Sequence, residues 1–209
     1  MEKFFCILIG YALGNILTAE IVTRRLTGRP CAELGTTGNP GMANVMAHLG
    51  FVPGIIVLAG DLAKTLAATL LTWLLFYNTV GHIAVLYAGL GAVAGHNWPV
   101  WEPARGGKGV SSTCAAIFVM SPLLGFISMI AGMLVVFVTR YLCVGGVVIP
   151  AVFTVLMFVF DGKEAGILGL VLTLIMVQRH WPALRLLPSG QCPKNDVWGA
   201  IRKKFVRSS

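Results

Sequence analysis

Long runs of apolar, uncharged residues make up most of this 209-residue chain. A helix needs about 20 such residues to cross the roughly 30 Å hydrocarbon core of a membrane. Only 11% of the residues are charged, against roughly 25% in a soluble domain. We therefore predict an all-α integral membrane protein, a bundle of about five to seven transmembrane helices that forms one domain over residues 1–209. The runs are 4–19, 66–77, 80–95, 110–139, 141–160 and 165–178.

Basic residues predict how the chain is oriented in the membrane. Three arginines follow the first run, Arg105 and Lys108 follow run 80–95, and seven lysines and arginines occupy the tail 179–209. Basic loops stay in the cytoplasm. We therefore predict a multi-pass protein of the cell membrane with its N-terminus outside and its basic tail in the cytoplasm.

This orientation requires an odd number of crossings, whereas the apolar runs number six. One solution is that run 165–178 does not span, which leaves five crossings. The other is a further break within residues 110–160, at a glycine pair, Pro122 or Pro150, which gives seven. The sequence alone leaves both open.

The formal net charge of +8 does not indicate a nucleic-acid-binding protein. The basic residues lie beside apolar runs and are not interleaved with aromatic residues as on RNA- or DNA-binding surfaces. Anionic lipid headgroups are the better match. The five cysteines form no Cys-x-x-Cys pair, and Asp61, Asp161 and Asp196 are far apart in sequence. The predicted partners therefore include membrane lipids but no nucleic acid, and no metal site or disulfide framework is predicted.

A short glycine-rich segment, Gly106-Gly107-Lys108-Gly109, lies between two apolar runs. Backbone N–H groups without neighbouring side chains, together with a lysine ammonium, can converge on one phosphate. The alternative is a flexible turn whose lysine marks the cytoplasmic side.

A second polar segment, residues 35–44, has the sequence Gly-Thr-Thr-Gly-Asn-Pro-Gly-Met-Ala-Asn. Taken alone, it is typical of a series of surface turns, because Asn-Pro and Pro-Gly are turn dipeptides. Both glycine-rich segments are predicted on the same side of the membrane. Together they indicate a site for a phosphorylated substrate.

Several segments resemble motifs of the bacterial acyl-phosphate-dependent glycerol-3-phosphate acyltransferases, the PlsY family. Residues 38–41, Gly-Asn-Pro-Gly, with Asn44 three residues on, are similar to the first motif of that family. Residues 95–100, Gly-His-Asn-Trp-Pro-Val, followed by 106–110, Gly-Gly-Lys-Gly-Val, resemble the second. Asp61 and Lys64 match a further recurring element, and residues 180–187 match the third motif more weakly.

The resemblance implies an enzyme of phospholipid biosynthesis that transfers a fatty acyl group from acyl-phosphate to the 1-hydroxyl of glycerol 3-phosphate. Acyl-phosphate is a mixed anhydride with a good leaving group. Positioning and electrostatic stabilisation are therefore sufficient, without a nucleophilic side chain or a cofactor. The implied catalytic residues are Lys108 and His96. The implied substrate-binding residues are Thr37, Gly38, Asn39, Gly41, Asn44, Gly106, Gly107, Gly109, Ser111 and His180.

The chain departs from the family pattern at several positions. Ala43 stands where the family has Thr, Ala47 where it has Arg, and Ala183 where it has Asn; Cys143 and Gly145 stand where serines are usual. These departures support one alternative, a catalytically degenerate paralogue that binds lipid phosphates or a partner enzyme. A small anion transporter is a second alternative, supported only by glycine-rich loops near charges.

Some of these residues also have a structural interpretation. His96 could bind a phosphate oxygen or hold its own loop in place. Asp61 and Lys64, three residues apart, would share one face of a helix and pair at the membrane edge. Ser111 and Ser112 are predicted to cap the helix that follows Lys108.

Overall fold

The computed structural model describes residues 1–35 and 38–194, which form a bundle of α-helices joined by short loops. Thr37, predicted to bind substrate, and the tail from residue 195 onward, predicted to be cytoplasmic, lie outside the described residues. The helices are α1 (Glu2–Gly14), α2 (Thr18–Thr27), α3 (Met42–Leu49), α4 (Phe51–Val80), α5 (Ala84–Asn97), α6 (Val110–Met120), α7 (Pro122–Thr139), α8 (Leu142–Phe160) and α9 (Lys163–Leu184).

Within the described part of the chain, 5 helical segments are long and apolar enough to cross a membrane. They are α1 together with α2, α4, α7, α8 and α9, and they confirm the predicted all-α, multi-pass fold. The helices α5 and α6 have only 14 and 11 residues. At 1.5 Å per residue they are about 21 and 16 Å long. Run 80–95, predicted as a span, therefore forms a helix too short to cross the hydrocarbon core alone.

Residues 110–139, one apolar run in the sequence, fold into two helices, α6 and α7. Ser121 between them is extended, with φ −150° and ψ 100°, and Pro122 is the first residue of α7. Proline has no N–H to continue a helix and disfavours helical backbone in the residue before it. Of the two prolines proposed as breaks, Pro122 does mark the start of a new helix, whereas Pro150 lies inside α8 and does not end it.

The helices run between two ends of the bundle. The far end is defined by two ion pairs, Lys3 Nζ with Glu164 Oε1 at 2.7 Å and His82 Nε2 with Asp161 Oδ1 at 3.3 Å. The site end is defined by the loop of residues 98–109 between α5 and α6. The helix α1 starts at the far end, and α9 finishes beside loop 98–109. The described chain thus passes between the two ends an odd number of times, as the predicted orientation requires.

The helices α1 and α5 approach each other more closely than ordinary side chains would allow. Each has two glycines four residues apart, Gly10 and Gly14 on α1 and Gly91 and Gly95 on α5. A Cβ atom on Gly10 would lie only 2.0 Å from the carbonyl oxygen of Ala88. Small residues at this spacing let the backbones of membrane helices pack directly. The packing fixes the end of α5, from which loop 98–109 begins.

The helix α4 begins well before the apolar run predicted for it. It has 30 residues and starts after Gly50, whose φ is 99°. Asp61 and Lys64, predicted at the start of a span, therefore lie about three turns inside α4, and both are buried. Their predicted pairing is confirmed, because Lys64 Nζ lies 3.0 Å from Asp61 Oδ1.

Candidate functional site

A cavity of about 220 Å³ lies at the site end and is called the inner cavity below. Residues from the loop before α3, from α4, from the end of α5 and from the starts of α6 and α8 form its wall, with His180 of α9. Most of the predicted site residues therefore meet at one place. The lining residues are Asn39, Gly41, Met42, Ala43, Asp61, His96, Lys108, Gly109, Val110, Ser111, Leu142, Cys143 and His180.

A second cavity of about 530 Å³, the outer cavity, shares two wall residues with the first, Asn39 and Lys108. Its other described lining residues include Arg105 and Arg179. Lys108 thus faces two neighbouring spaces. Of the remaining predicted site residues, Gly38 and Gly106 line the outer cavity, whereas Gly107 and Asn44 line neither.

The glycines of loop 98–109 serve close packing more than anion binding. A Cβ atom on Gly106 would lie 2.0 Å from the carbonyl oxygen of Asn97, and one on Gly107 would lie 1.9 Å from His96 Nε2. The Gly107 N–H donates to the His96 carbonyl at 2.9 Å. This bond corrects the prediction that the Gly107 N–H is available to a phosphate.

Arg179 holds the same loop from the opposite side. Its Nε donates to the carbonyl oxygen of Gly107 at 3.0 Å, and its Nη2 donates to that of Gly106 at 2.6 Å. The guanidinium also lies 5.7 Å from the ring centroid of Trp98, a distance at which a cation is attracted to an aromatic face. These contacts fix the backbone on which Lys108 stands.

The start of α6 faces the inner cavity. Gly109 has φ 76° and precedes the first helical residue, Val110. The predicted serine cap is wrong: Ser111 and Ser112 lie inside the first turn, and no side chain caps the helix. A glycine occupies the cap position because the left-handed backbone there disfavours a side chain. The first N–H groups of a helix have no intrahelical acceptor and lie at its positive end, so this wall of the cavity favours an anion.

Lys108 is half-buried between the two cavities. Burial lowers the pKa of Lys108 from its ordinary value; the positive charge of Arg179 acts in the same direction, and the thiols of Cys143 and Cys192 act in the opposite one. A bound anion would favour the ammonium form. The site is therefore arranged so that ligand binding and the charge of Lys108 support each other.

His96 belongs to a buried network with Lys64 and Asp61. The Lys64 ammonium is surrounded by three acceptors: the Ile16 carbonyl at 2.7 Å, His96 Nδ1 at 2.8 Å and Asp61 Oδ1 at 3.0 Å. An ammonium only donates, so His96 Nδ1 accepts and the ring hydrogen is on Nε2. His96 lines the inner cavity, and its Nε2–H lies beside Gly107.

His180 has the opposite tautomer. Its Nδ1 lies 2.9 Å from the carbonyl oxygen of Met176. A carbonyl only accepts, so Nδ1 carries the hydrogen and Nε2 has a free lone pair. A Cβ atom on Gly146 of α8 would lie 2.9 Å from this Nε2. Gly146 therefore makes room for the ring at the cavity wall.

The first motif forms part of the walls of both cavities. The backbone N–H of Gly41 donates to the Asn39 carbonyl at 2.9 Å. The Asn44 side chain donates to the Leu34 carbonyl at 3.0 Å, so it holds the loop, and Asn44 is not among the described lining residues of the inner or the outer cavity. Gly38 has φ 55°, and a Cβ atom there would lie 2.5 Å from the Ala32 carbonyl oxygen. The glycine is thus required both by the backbone conformation and by the space.

The departures from the family pattern lie in different places. Ala43 lines the inner cavity and Ala183 the outer one, whereas Ala47 is exposed and lines neither. In the described wall of the outer cavity, Arg105 and Arg179 supply positive charge besides Lys108. Position 47, where the family pattern has an arginine, therefore lies outside the described walls of both cavities.

Sequence reasoning gave too little weight to the buried charges of α4 and to Arg179. Asp61 lines the inner cavity, Lys64 orients His96, and Arg179 holds the loop. For Asp61 and Lys64 the available signal was their position beside an apolar run, because ionisable residues inside a membrane are functional candidates by default.

Known proteins resemble this chain over most of its length. The sequence profile of a family described as glycerol-3-phosphate acyltransferase matches residues 4–190. The chain is 36% identical over 205 residues to glycerol-3-phosphate acyltransferase 1 of Lactobacillus johnsonii, covering 98% of both chains. It is 34% identical over 197 residues to the glycerol-3-phosphate acyltransferase of Clostridioides difficile, covering 91% of this chain and 95% of that one.

Two solved structures share the fold, both of PlsY, an integral membrane glycerol 3-phosphate acyltransferase. The glycerol 3-phosphate form has a TM-score of 0.83 and 23% identity, and the match covers 96% of this chain and 99% of that chain. The lysophosphatidic acid form has a TM-score of 0.79 and 22% identity, with 93% and 95% covered. This likeness confirms the integral membrane fold.

Proposed function

This chain belongs to the glycerol-3-phosphate acyltransferase family, and we propose that it takes the acyl group from an acyl-phosphate and places it on the 1-hydroxyl of glycerol 3-phosphate. The products are 1-acyl-glycerol 3-phosphate and inorganic phosphate, a step of phospholipid biosynthesis. The observation that carries the proposal is that Asn39 and Lys108 line both cavities. Two phosphorylated substrates need two anion sites that meet at the reacting atoms. The names of the relatives favour neither a degenerate paralogue nor an anion transporter.

Each cavity would hold one phosphate. In the inner cavity the phosphate would be bound by the start of α6, the His96 N–H and Lys108. In the outer cavity it would be bound by Arg105, Arg179 and again Lys108. Charge-assisted hydrogen bonds of this kind are roughly twice as strong as neutral ones. Because Lys108 contacts both spaces, it brings the acyl carbon and the hydroxyl together.

The reaction then needs no enzyme nucleophile. The hydroxyl oxygen of glycerol 3-phosphate attacks the acyl carbon, the bond from that carbon to the bridging oxygen breaks, and phosphate leaves with the electron pair. The Nε2 lone pair of His180 and the departing phosphate both offer a place for the hydroxyl proton. The Lys108 ammonium and the His96 N–H stabilise the developing negative charge without reorganising, which is the main source of rate in such sites.

We also propose that the site end faces the cytoplasm. The basic residues of the described chain concentrate there, at the end of α2 and just after it, on loop 98–109 and after α7. The far end has paired charges such as Lys3 with Glu164. Basic loops are retained in the cytoplasm. Both proposed substrates are charged and reach the site from that side.

Labelling from the two sides of the membrane tests this orientation. Arg25→Cys at the site end and Lys163→Cys at the far end both place a thiol at an exposed position. We expect a membrane-impermeant maleimide to label Lys163→Cys in intact cells and Arg25→Cys only in inverted vesicles. The unsubstituted chain is the control for its native cysteines. The reverse labelling pattern would refute the proposed orientation.

Acyl transfer by the purified protein tests the reaction. We expect labelled glycerol 3-phosphate to be converted to 1-acyl-glycerol 3-phosphate with acyl-phosphate as donor, and not with acyl-CoA or acyl-carrier protein. Such product would also show that Ala43, Ala47 and Ala183 are compatible with turnover. A folded protein that forms product with none of these donors, beside an active relative as positive control, would favour the degenerate paralogue. Product with acyl-CoA alone would refute the proposed donor.

A further inference from the structure

Two cysteines that are distant in sequence meet beside the inner cavity. Cys143 is the second residue of α8, and Cys192 follows α9. Their sulfur atoms lie 3.6 Å apart although the residues are separated by 49 positions. Both side chains are buried, and both thiols are free. A disulfide has an S–S length of about 2.05 Å, so the sulfurs need to approach each other by less than about 2 Å to bond.

The pair joins two parts of the site. Cys143 lines the inner cavity, and Pro193, next to Cys192, lines the outer one. The segment of residues 191–194 has no helical structure and packs against the start of α8, where Lys194 Nζ lies 5.8 Å from the ring centroid of Tyr141. A bond between the two sulfurs would therefore fasten a non-helical segment across the place where the cavities meet.

We propose that Cys143 and Cys192 form a reversible disulfide that slows the enzyme under oxidising conditions. The oxidant is a low-molecular-weight disulfide such as glutathione disulfide. One cysteine thiolate attacks it, a mixed disulfide forms and one glutathione thiol leaves. The other cysteine thiolate displaces the second glutathione thiol, so that two cysteine thiols are oxidised and the glutathione disulfide is reduced to two thiols.

The effect on catalysis follows from the position of the bond. The inner cavity holds about 220 Å³, too little for a long acyl chain as well as a phosphate, so its wall has to part to admit the donor. Cys143 is part of that wall, and residues 191–194 pack against the start of α8 beside it, so a disulfide to Cys192 holds this part of the wall in place. Disulfides are rare in cytoplasmic proteins and, where present, are usually transient and redox-sensing. The expected loss of acyl transfer rests on the proposed function, whereas formation of the Cys143–Cys192 disulfide does not.

The experiment titrates the purified full-length protein with reduced and oxidised glutathione. Free thiols are alkylated, and digested peptides are identified by mass spectrometry. We expect a linked peptide containing Cys143 and Cys192 in oxidising buffer, and a fall in acyl transfer of at least about fivefold, the lower end of typical coupling between sites. Dithiothreitol should reverse both. Absence of the linked peptide across the whole range would overturn the proposal.

Two variants distinguish the effect of the Cys143–Cys192 disulfide from oxidation elsewhere in the protein. Cys192→Ser should keep the activity of the reduced protein and lose both the linked peptide and the sensitivity to oxidant. Cys114→Ser, a change at the partly exposed cysteine on α6, should behave like the unsubstituted chain. A linked peptide without loss of acyl transfer would refute the proposal that the disulfide slows the enzyme. If the reduced protein shows no acyl transfer, the proposed function fails. Binding of labelled glycerol 3-phosphate to the reduced and the oxidised protein then decides whether the disulfide alters the site.

Discussion

Replacing Lys108 with alanine should lower kcat/KM for acyl transfer by about 10²–10³-fold, the usual cost of removing one preorganised charge-stabilising group. Within the described wall of the inner cavity, Lys108 is the one lysine or arginine, and it also lines the outer cavity. Its loss should therefore weaken the binding of both phosphates and the stabilisation of the leaving group. We expect kcat to fall and KM to rise for both substrates.

Lys163→Ala is the matched control, because Lys163 is an exposed lysine at the far end of the bundle. It should leave the rate unchanged. Circular dichroism and gel filtration in detergent should show that Lys108→Ala inserts and folds normally, since the half-buried side chain makes no ion pair with the described acidic residues. Full activity in Lys108→Ala would refute its assignment to the site.

The sequence predicts the helical bundle well because length and apolarity are local properties. The run over residues 141–160 corresponds to α8 almost without change. Run 165–178 is extended to Lys163–Leu184 in α9, which is long enough to cross a membrane, so the prediction that this run does not span is wrong. The break before Pro122 is also local, since it depends on proline and its preceding residue. The helix start at Phe51 was missed because α4 includes charged residues that interrupt the apolar pattern.

The candidate site is less predictable, because it depends on contacts between distant residues. His180 and Lys108 share a cavity although 72 residues separate them, and only the resemblance to a family connected them beforehand. The Lys64–His96 contact spans 32 positions and depends on how α4 packs on α5. One long-range contact did have a local signal: the paired glycines of α1 and α5 are typical of close helix packing.

Variants of Lys64 test whether it orients His96 or only balances the charge of Asp61. Lys64→Met removes the donor to His96 Nδ1 and leaves the Asp61 carboxylate buried without its cation. Removing one partner of a buried ion pair costs about 3–5 kcal/mol, so the melting temperature in detergent should fall sharply. Activity should fall as well, but loss of folding alone would explain it. The single variant is therefore not decisive.

The double variant Asp61→Asn, Lys64→Met resolves this ambiguity, because it removes both charges together. Stability should largely return, since no unpaired charge remains buried. Transfer should stay about 10²-fold or more below the unsubstituted rate, because His96 is no longer held with its hydrogen on Nε2 and facing the cavity, and an oriented donor of this kind is worth that much. Asp161→Asn at the far end is the control and should alter neither property. A double variant that recovers stability and full activity together would assign the Asp61–Lys64 pair to charge balance alone, and one that recovers stability without activity shows that the pair also supports transfer.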